Sequence, residues 1–332
     1  MQHPATIEDV ARVAGVSRQT VSNVLNAPDI VRLSTRERVE AAIAELGYAP
    51  HASARRLRTR RSSTIGIHLD PYAGGISGVV LDRFVHALTE RAGARGMRVL
   101  VYAAGSPEEE IRRIADLRDG GDIDAVVITG TFHDDPRTRW LTERDVPFVS
   151  FGRPWGADDI ADPAHLWVDV DGAAGTREAT AHALGFGDRV GFVGWPAGSE
   201  TGDDRERGWL QAMGERAGVR LSSEESVALA REAVAVALRV HEFDALVCAS
   251  DSLAIGAHLA AVAAGLPGLP IVGFDNTPAA EALGLASVEQ RPEFVAAGVL
   301  NLLMGAQGRQ IAPRPAVPGE AHVLVPPRLI LR

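Results

Sequence analysis

Apolar residues in the first 50 positions recur at helical spacing, and nothing there alternates as a strand would. Thr6 stands as a cap before Ile7, Val10, Ala11 and Ala14, at offsets 0, 3, 4 and 7, and Gly15 closes that helix. A second helix is expected from about Ser17. It buries Val21, Val24 and Leu25 and turns Arg18, Gln19, Ser22, Asn23 and Asn26 to the other face. The run Ser34-Thr35-Arg36-Glu37 reads as a capping box for a third helix that buries Val39, Ala42, Ile43 and Leu46 and stops at Gly47.

Beyond residue 63 the pattern changes. Short, continuous apolar runs begin at Ile65, Val99, Ala125, Phe148, Arg189, Ala245 and Pro270, and stretches of helical periodicity separate them. Uninterrupted β-branched runs alternating with helices predict parallel strands in βαβ units, whose ligands bind beyond the C-terminal strand ends. No repeat of short fixed period is visible.

Charge divides the chain in the same place. Residues 1–62 carry ten Arg against six acids, so +4; the remaining 24 Arg against 37 acids give −13, and the sum is the net −9. A basic head on an acidic body suits a protein of which only the head meets a polyanion. All 34 basic residues are Arg, which removes Walker-type phosphate loops, Schiff-base chemistry and the kinase lysine together. The single cysteine, Cys248, excludes intrachain disulfides and a cysteine-based zinc cluster. The ten His lack metal-ligand spacing, and Gly74-Gly75-Ile76-Ser77-Gly78 matches neither a dinucleotide fingerprint nor a nucleophile elbow. No catalytic role, metal or cofactor is therefore expected. The start MQHPATIEDV lacks an export pattern and no window is apolar enough to span a membrane, so a cytoplasmic protein is expected.

Two short helices joined around Gly15 and Val16 fit a helix-turn-helix, whose second helix reads the major groove. Arg18 offers paired donors to guanine O6 and N7, and Gln19 can bond adenine bidentately. Five Arg lie in residues 55–61 around Leu57, which reads as a linker or hinge.

The segment TIEDVARVAGVSRQTVSNVLN, followed by VEAAIAELGYAP, closely resembles the N-terminal signature of the LacI/GalR family of bacterial regulators. Asn23 here replaces the family's usual Arg in the reader helix. The resemblance implies base contacts from Arg18, Gln19 and Asn23 and phosphate contacts from Ser17, Thr20 and Ser22, with Thr6, Asn26 and Tyr48 completing the head's DNA-facing set. It also implies a hinge helix whose Leu57 wedges into the minor groove beside Ala54 and His51, with Arg55 and Arg58 on the phosphates. His51 stands where the family usually has Asn.

From Ser63 onward the chain resembles the family's two-lobed core, which is similar to periplasmic sugar-binding proteins. The stretches PFVSFGR, VDVDG, DRERGW, CASD, GFDN and SVEQ carry the likeness. It implies that Arg205 and Asp275 bind effector hydroxyls, that Arg153 and Trp167 face the ligand, and that Ser250, in place of an Asn found in some relatives, and Gln290 lie nearby. The expected fold class is thus an all-α helix-turn-helix head on an α/β two-lobed core with a parallel sheet in each lobe. The expected divisions are a head over 1–50, a hinge over 51–62, a first lobe over 63–162 and 292–322, and a second lobe over 163–291 and 323–332. The implied protein is a homodimeric repressor on a palindromic double-stranded operator, controlled by a sugar-like effector. A sugar-binding protein or a sugar-processing enzyme without operator control is the alternative.

Overall fold

A computed structural model describes residues 5–48, 62–69, 78–156, 160–162, 164–305, 311 and 321–332. The hinge positions His51, Ala54, Arg55, Leu57 and Arg58 lie outside the described residues. The chain divides into two compact units, 1–62 and 63–332.

The head is a three-helix unit of α1 (Ile7–Ala14), α2 (Arg18–Asn26) and α3 (Leu33–Leu46), with a short 3₁₀ turn at Pro28–Ile30. Thr6 caps α1 and shares a capping box with Asp9, while Gly15 ends the helix at φ +62°, a left-handed conformation open to glycine. Val10, Ala11, Ala14, Val21, Val24, Val39 and Ala42 form the core, with Ile7, Leu25, Ile43, Leu46 and Tyr48 packed on its margin. The expected Ser34 capping box does not form. The third helix starts two residues earlier, with Arg32 rather than Ser34 at the N-cap, its first turn closing on the Arg32 carbonyl, and Arg36 pairs with Glu40 one turn on. Arg38 donates to the Ala14 carbonyl at 3.0 Å, placing a cation on the C-terminal end of α1.

The first sheet of the core takes β1 (Thr64–Leu69), β2 (Arg98–Ala103), β3 (Ala125–Thr129), β4 (Phe148–Phe151) and β5 (Trp167–Val170), interleaved with α4 (Gly78–Ala94), α5 (Pro107–Asp119) and α6 (Pro136–Glu143). The second takes β6 (Val190–Gly194), β7 (Arg220–Ser222), β8 (Ala245–Cys248), β9 (Ile271–Phe274) and β10 (Ala286–Glu289). Its helices are α7 (Gly172–Ala183), α8 (Glu200–Met213), α9 (Val227–Ala237), α10 (Asp251–Ala263) and the short α11 (Pro278–Ala282). The chain then returns through α12 (Pro292–Met304) to the first lobe, adds β11 (His322–Val325) there, and ends on β12 (Arg328–Ile330) in the second.

The sheet orders are β11-β5-β4-β3-β1-β2 and β12-β10-β9-β8-β6-β7. All pairs are parallel except β10 with β12. The central runs, such as AVVIT in β3 and VGFVG in β6, are buried along their whole length, as a sheet covered on both faces requires. Helices α7 and α8 approach so closely that a Cβ on Gly208 would fall inside contact distance of the Ala173 carbonyl.

The lobe boundaries differ from those expected. Trp167–Val170 pairs with β4, and β11 pairs with β5 in the register His322↔Trp167, so the chain leaves the first lobe after Val170 rather than after 162 and makes its last crossing after Val325 rather than after 322. The four-residue run WVDV carries Asp169 and so does not stand out as an apolar strand. The middle crossing lies between Gln290 and Pro292, the proline at the first position of α12.

Candidate nucleic-acid interface and ligand cleft

On the head, the expected reader face is the exposed side of α2. Ser17 caps the helix, its Oγ accepting from Thr20 N at 3.1 Å and lying 2.9 Å from Thr20 Oγ1. Gln19 donates to Asn23 Oδ1 at 3.0 Å, and the Arg18 guanidinium lies 3.0 Å from Glu8 on α1. Arg18 and Gln19 are exposed, so these links are held weakly and both side chains are free to exchange them for base edges. Thr6 is exposed but tied into the α1 cap, and Tyr48 is partly buried against the head core.

In the core, the C-terminal strand ends of both sheets line a cleft of about 430 Å³. Its polar floor is a cluster from the second lobe. Arg205, on α8, places its guanidinium 3.8 Å from the centre of the Phe274 ring and 3.7 Å from Asp275 Oδ1, and donates to the Ala249 carbonyl. Gln290 donates to the same Asp275 oxygen at 2.6 Å. Burial pushes the Asp275 carboxyl up to about 7; the Arg205 charge opposes the rise, and Asp251 and Glu225 add to it. Arg205 Nε is buried with no hydrogen-bond partner among the described residues.

Asp275 and Asn276 both hold positive φ, +108° and +49°. Asp251, at the start of α10, fixes this strained turn by accepting from Thr277 N and from Ser287 Oγ, both at 2.6 Å. Ser287 Oγ in turn accepts from Asn276 N.

The facing wall is built on Arg153. It donates to Asp169 at 2.6 Å and to the Val170 carbonyl at 3.0 Å, and its guanidinium lies 3.5 Å from Asp204. Burial raises the Asp169 carboxyl, although Arg153 pulls it down. Trp155, at φ +62°, stacks against Arg153 and lines the cleft, as do Phe151 and Trp195. A tryptophan rarely adopts that backbone conformation, so the ring is held at the cleft against a local cost.

Of the expected ligand residues, the structure thus brings Arg205, Asp275 and Gln290 together and sets Arg153 behind the opposite wall. Ser250 is fully buried at the N-cap of α10, accepting from Leu253 N and donating to Glu225 at 2.7 Å. Trp167 does not reach the cleft. It lies on β5 with its indole N–H on the Ile160 carbonyl and its ring stacked on His322, 4.8 Å between centres. The aromatic surface comes from Trp155 and Trp195 instead. The acidic partners Asp169 and Asp204 were missed as individual sites; a carboxylate for each buried guanidinium was the signal that could have found them.

A helix-turn-helix head followed by two α/β lobes around a polar, aromatic-lined cleft defines a ligand-responsive DNA-binding regulator. The profile of bacterial regulatory proteins of the lacI family matches residues 6–51, and that of the periplasmic binding protein-like domain matches residues 181–332. The HTH-type transcriptional regulator CelR of Thermobifida fusca is 32% identical over 325 residues, covering 90% of this chain and 91% of that protein. A LacI-family regulatory protein from Chloroflexus aggregans superposes with a TM-score of 0.71 at 30% identity, over 81% of this chain and 97% of its own. The lac repressor dimer bound to operator and the anti-inducer ONPF gives a TM-score of 0.79 at 24% identity, over 99% and 98% of the two chains. The chain belongs to the LacI family of bacterial transcription regulators. Among the described residues no helix is long and apolar enough to cross a membrane.

Proposed function

We propose that this regulator is a repressor of a carbohydrate-related operon, binding a palindromic operator as a homodimer and controlled by a sugar-like effector in the cleft between its lobes. The observation that carries the reading is the buried Arg205–Asp275–Gln290 cluster beneath aromatic rings. Sugars present vicinal hydroxyls and an apolar ring face, and a guanidinium beside a carboxylate supplies paired donors and acceptors while indole rings supply the platform. In this reading Arg205, Asp275 and Gln290 hold hydroxyls, Trp155 and Trp195 take the ring faces, and Arg153 and Ser250 hold the site in shape.

Arg18, Gln19 and Asn23 read bases, while Ser17, Thr20 and Ser22 meet phosphates. A single reader helix covers few base pairs, so a two-fold pair is needed for useful specificity. Effector binding changes the angle between the lobes and so repositions the paired heads and hinges. Thr6, Asn26 and Tyr48 complete the head's contacts, and in the hinge segment Ala54, Leu57 and their flanking His51, Arg55 and Arg58 fill the minor-groove role.

Selection of duplexes from a random pool, followed by anisotropy titration with and without a sugar panel, tests this. The expected result is an enriched palindrome whose affinity changes when one sugar is added. Equal binding to palindromic and scrambled duplexes under all conditions overturns it.

A further inference from the structure

We propose that the cleft is built for an uncharged ligand and discriminates against sugar phosphates and uronic acids, with Glu225 extending that selection into the outer cavity; this rests on the sugar reading above. Three observations carry it. The first is the balance of charge around the cavity. Among the described residues, Arg153, Arg205 and Arg207 stand with Asp169, Asp204, Asp275, Glu224 and Glu225 around the two cavities, so acidic side chains outnumber guanidiniums by five to three, and still outnumber them when Asp275 is protonated. Each of those cations is already engaged with a carboxylate: Arg153 with Asp169 and Asp204, Arg205 with Asp275, and Arg207 with Asp204.

The second is the helix ends. A helix N-terminus beside a cleft is a ready anion site because its first amides are unsatisfied. At α7 they are taken: Asp204 accepts from Ala173 N at 3.0 Å and Asp171 from Ala174 N at 2.9 Å. At α10, Ser250 accepts from Leu253 N, and Asp251 places a carboxylate in the first turn. At these two helix starts the protein's own acids and hydroxyls occupy the places where a phosphate would dock; the start of α8, beside Thr201, has no side-chain cap but carries Glu200 and Asp203 in its first turn, which repel an anion.

The third is what remains. Thr129 Oγ1 is buried at the cleft, and it and Arg205 Nε have no hydrogen-bond partner among the described residues. One is a neutral hydroxyl and the other a single donor on a guanidinium that a carboxylate already offsets. Both match hydroxyl oxygens. Outward, past Trp195 and Thr201, a more open cavity of about 590 Å³ is bounded by Glu224 and Glu225. Glu225 Oε2 accepts from the Trp195 indole at 2.6 Å and from Ser250 Oγ, so its carboxylate is fixed where the outer part of an elongated ligand would lie. A fixed carboxylate about 8 Å from a ligand charge, at an effective dielectric constant of roughly 20, weakens anion binding roughly 30-fold.

Isothermal titration of the full-length protein with matched probes tests this: glucose, cellobiose and maltose, their 6-phosphates, the corresponding uronic acids, inorganic phosphate, and the neutral nucleosides. The expected result is saturable binding of a neutral sugar, with its phosphate and uronate at least about 100-fold weaker and no binding of inorganic phosphate. Glu225→Gln keeps an acceptor for Trp195 and Ser250, and should narrow the gap between neutral and phosphorylated probe roughly 30-fold. Losing affinity for both equally would deny Glu225 this role. A sugar phosphate or uronate that binds as tightly as its neutral parent overturns the proposal. A neutral nucleoside that binds where all sugars fail leaves the charge selection standing and overturns the sugar reading instead.

Discussion

Arg83 of α4 in the first lobe donates to Glu289, the last residue of β10 in the second, at 3.1 Å. The same guanidinium reaches Glu293 at the start of α12, and Glu289 also accepts from Arg328 on β12. The Glu289 carboxylate therefore ties together elements of both lobes one residue before the chain crosses between them. Burial raises its pKa, but the two guanidiniums outweigh that and leave it below the ordinary glutamate value. It contributes stability above the unfolded value of 4.5 that is lost as pH falls through the lower folded one.

Changing Glu289 to Gln should cost little stability, because Arg83 is about a third exposed and solvent screens the pair. It should act on the lobes instead. We expect the melting temperature to fall by only a few degrees, while the ratio of operator affinities with and without saturating effector shifts about 3- to 10-fold. An unchanged ratio would show that the ion pair has no part in lobe coupling.

The Asp275 carboxyl gives the cleft a pH dependence near neutrality. Ligand hydroxyls donate best to the ionised form, and the folded carboxyl titrates at about 7. Effector affinity should therefore rise about tenfold between pH 6 and pH 8, following the ionised fraction. Asp275→Asn should bind more weakly and lose this dependence. For the unliganded chain the sign is opposite. The folded state holds this proton more tightly than the unfolded one, whose carboxyl titrates near 3.8, so the site's contribution to stability is complete below that value and is lost as pH rises through about 7. Titration calorimetry at three pH values, with parallel melting curves, separates the two effects.

Arg137 anchors the turn after β3 that lines the cleft. It donates to Asp135 and Glu110 at 2.6 and 2.7 Å and to the carbonyls of Thr129 and Gly130, and Tyr102 donates to the other Glu110 oxygen. All three charged side chains are at most 5% exposed. Arg137→Met should cost about 3–5 kcal/mol in urea unfolding, since it leaves two carboxylates buried without their cation. Adding Glu110→Gln and Asp135→Asn should recover at least half of that loss. Failure to recover would mean that packing of the Arg137 stem, rather than its charge, holds the turn.

Much of this architecture was written in local pattern, and the parts that were not share a cause. The head helices and the fully buried strands follow from residues whose neighbours in the chain reveal their roles, and the Arg205–Asp275 pair from the family resemblance carried by DRERGW and GFDN. Trp167–Val170 did not read as a strand because its place depends on pairing with His322–Val325, some 150 residues further on. The family resemblance assigns Trp167 itself to the ligand, where an aromatic ring is needed. The fold supplies that ring from Trp155, through a positive φ, and from Trp195, through a bond to Glu225, and neither arrangement leaves a mark in sequence periodicity. The Ser34 capping box is a local motif overridden by a two-residue shift of the helix start.

The head offers a test in which two substitutions should act in opposite directions. Arg18 faces outward from α2 and lies 3.0 Å from Glu8, so in free protein its guanidinium is shared with an acid that DNA must displace. In the proposed reading, Arg18→Ala removes paired donors to one base. It should cost about 1–3 kcal/mol in operator binding and relax preference at a single position, while scrambled duplex binds nearly as before. Glu8→Gln should tighten binding a few-fold to both duplexes at low salt, because it frees the guanidinium and removes a negative charge from a surface that meets phosphates. Anisotropy titrations of both duplexes at several salt concentrations read both effects. If Glu8→Gln weakens the operator selectively, the ion pair orients Arg18 for the groove rather than competing with it, and Glu8 belongs to the recognition surface.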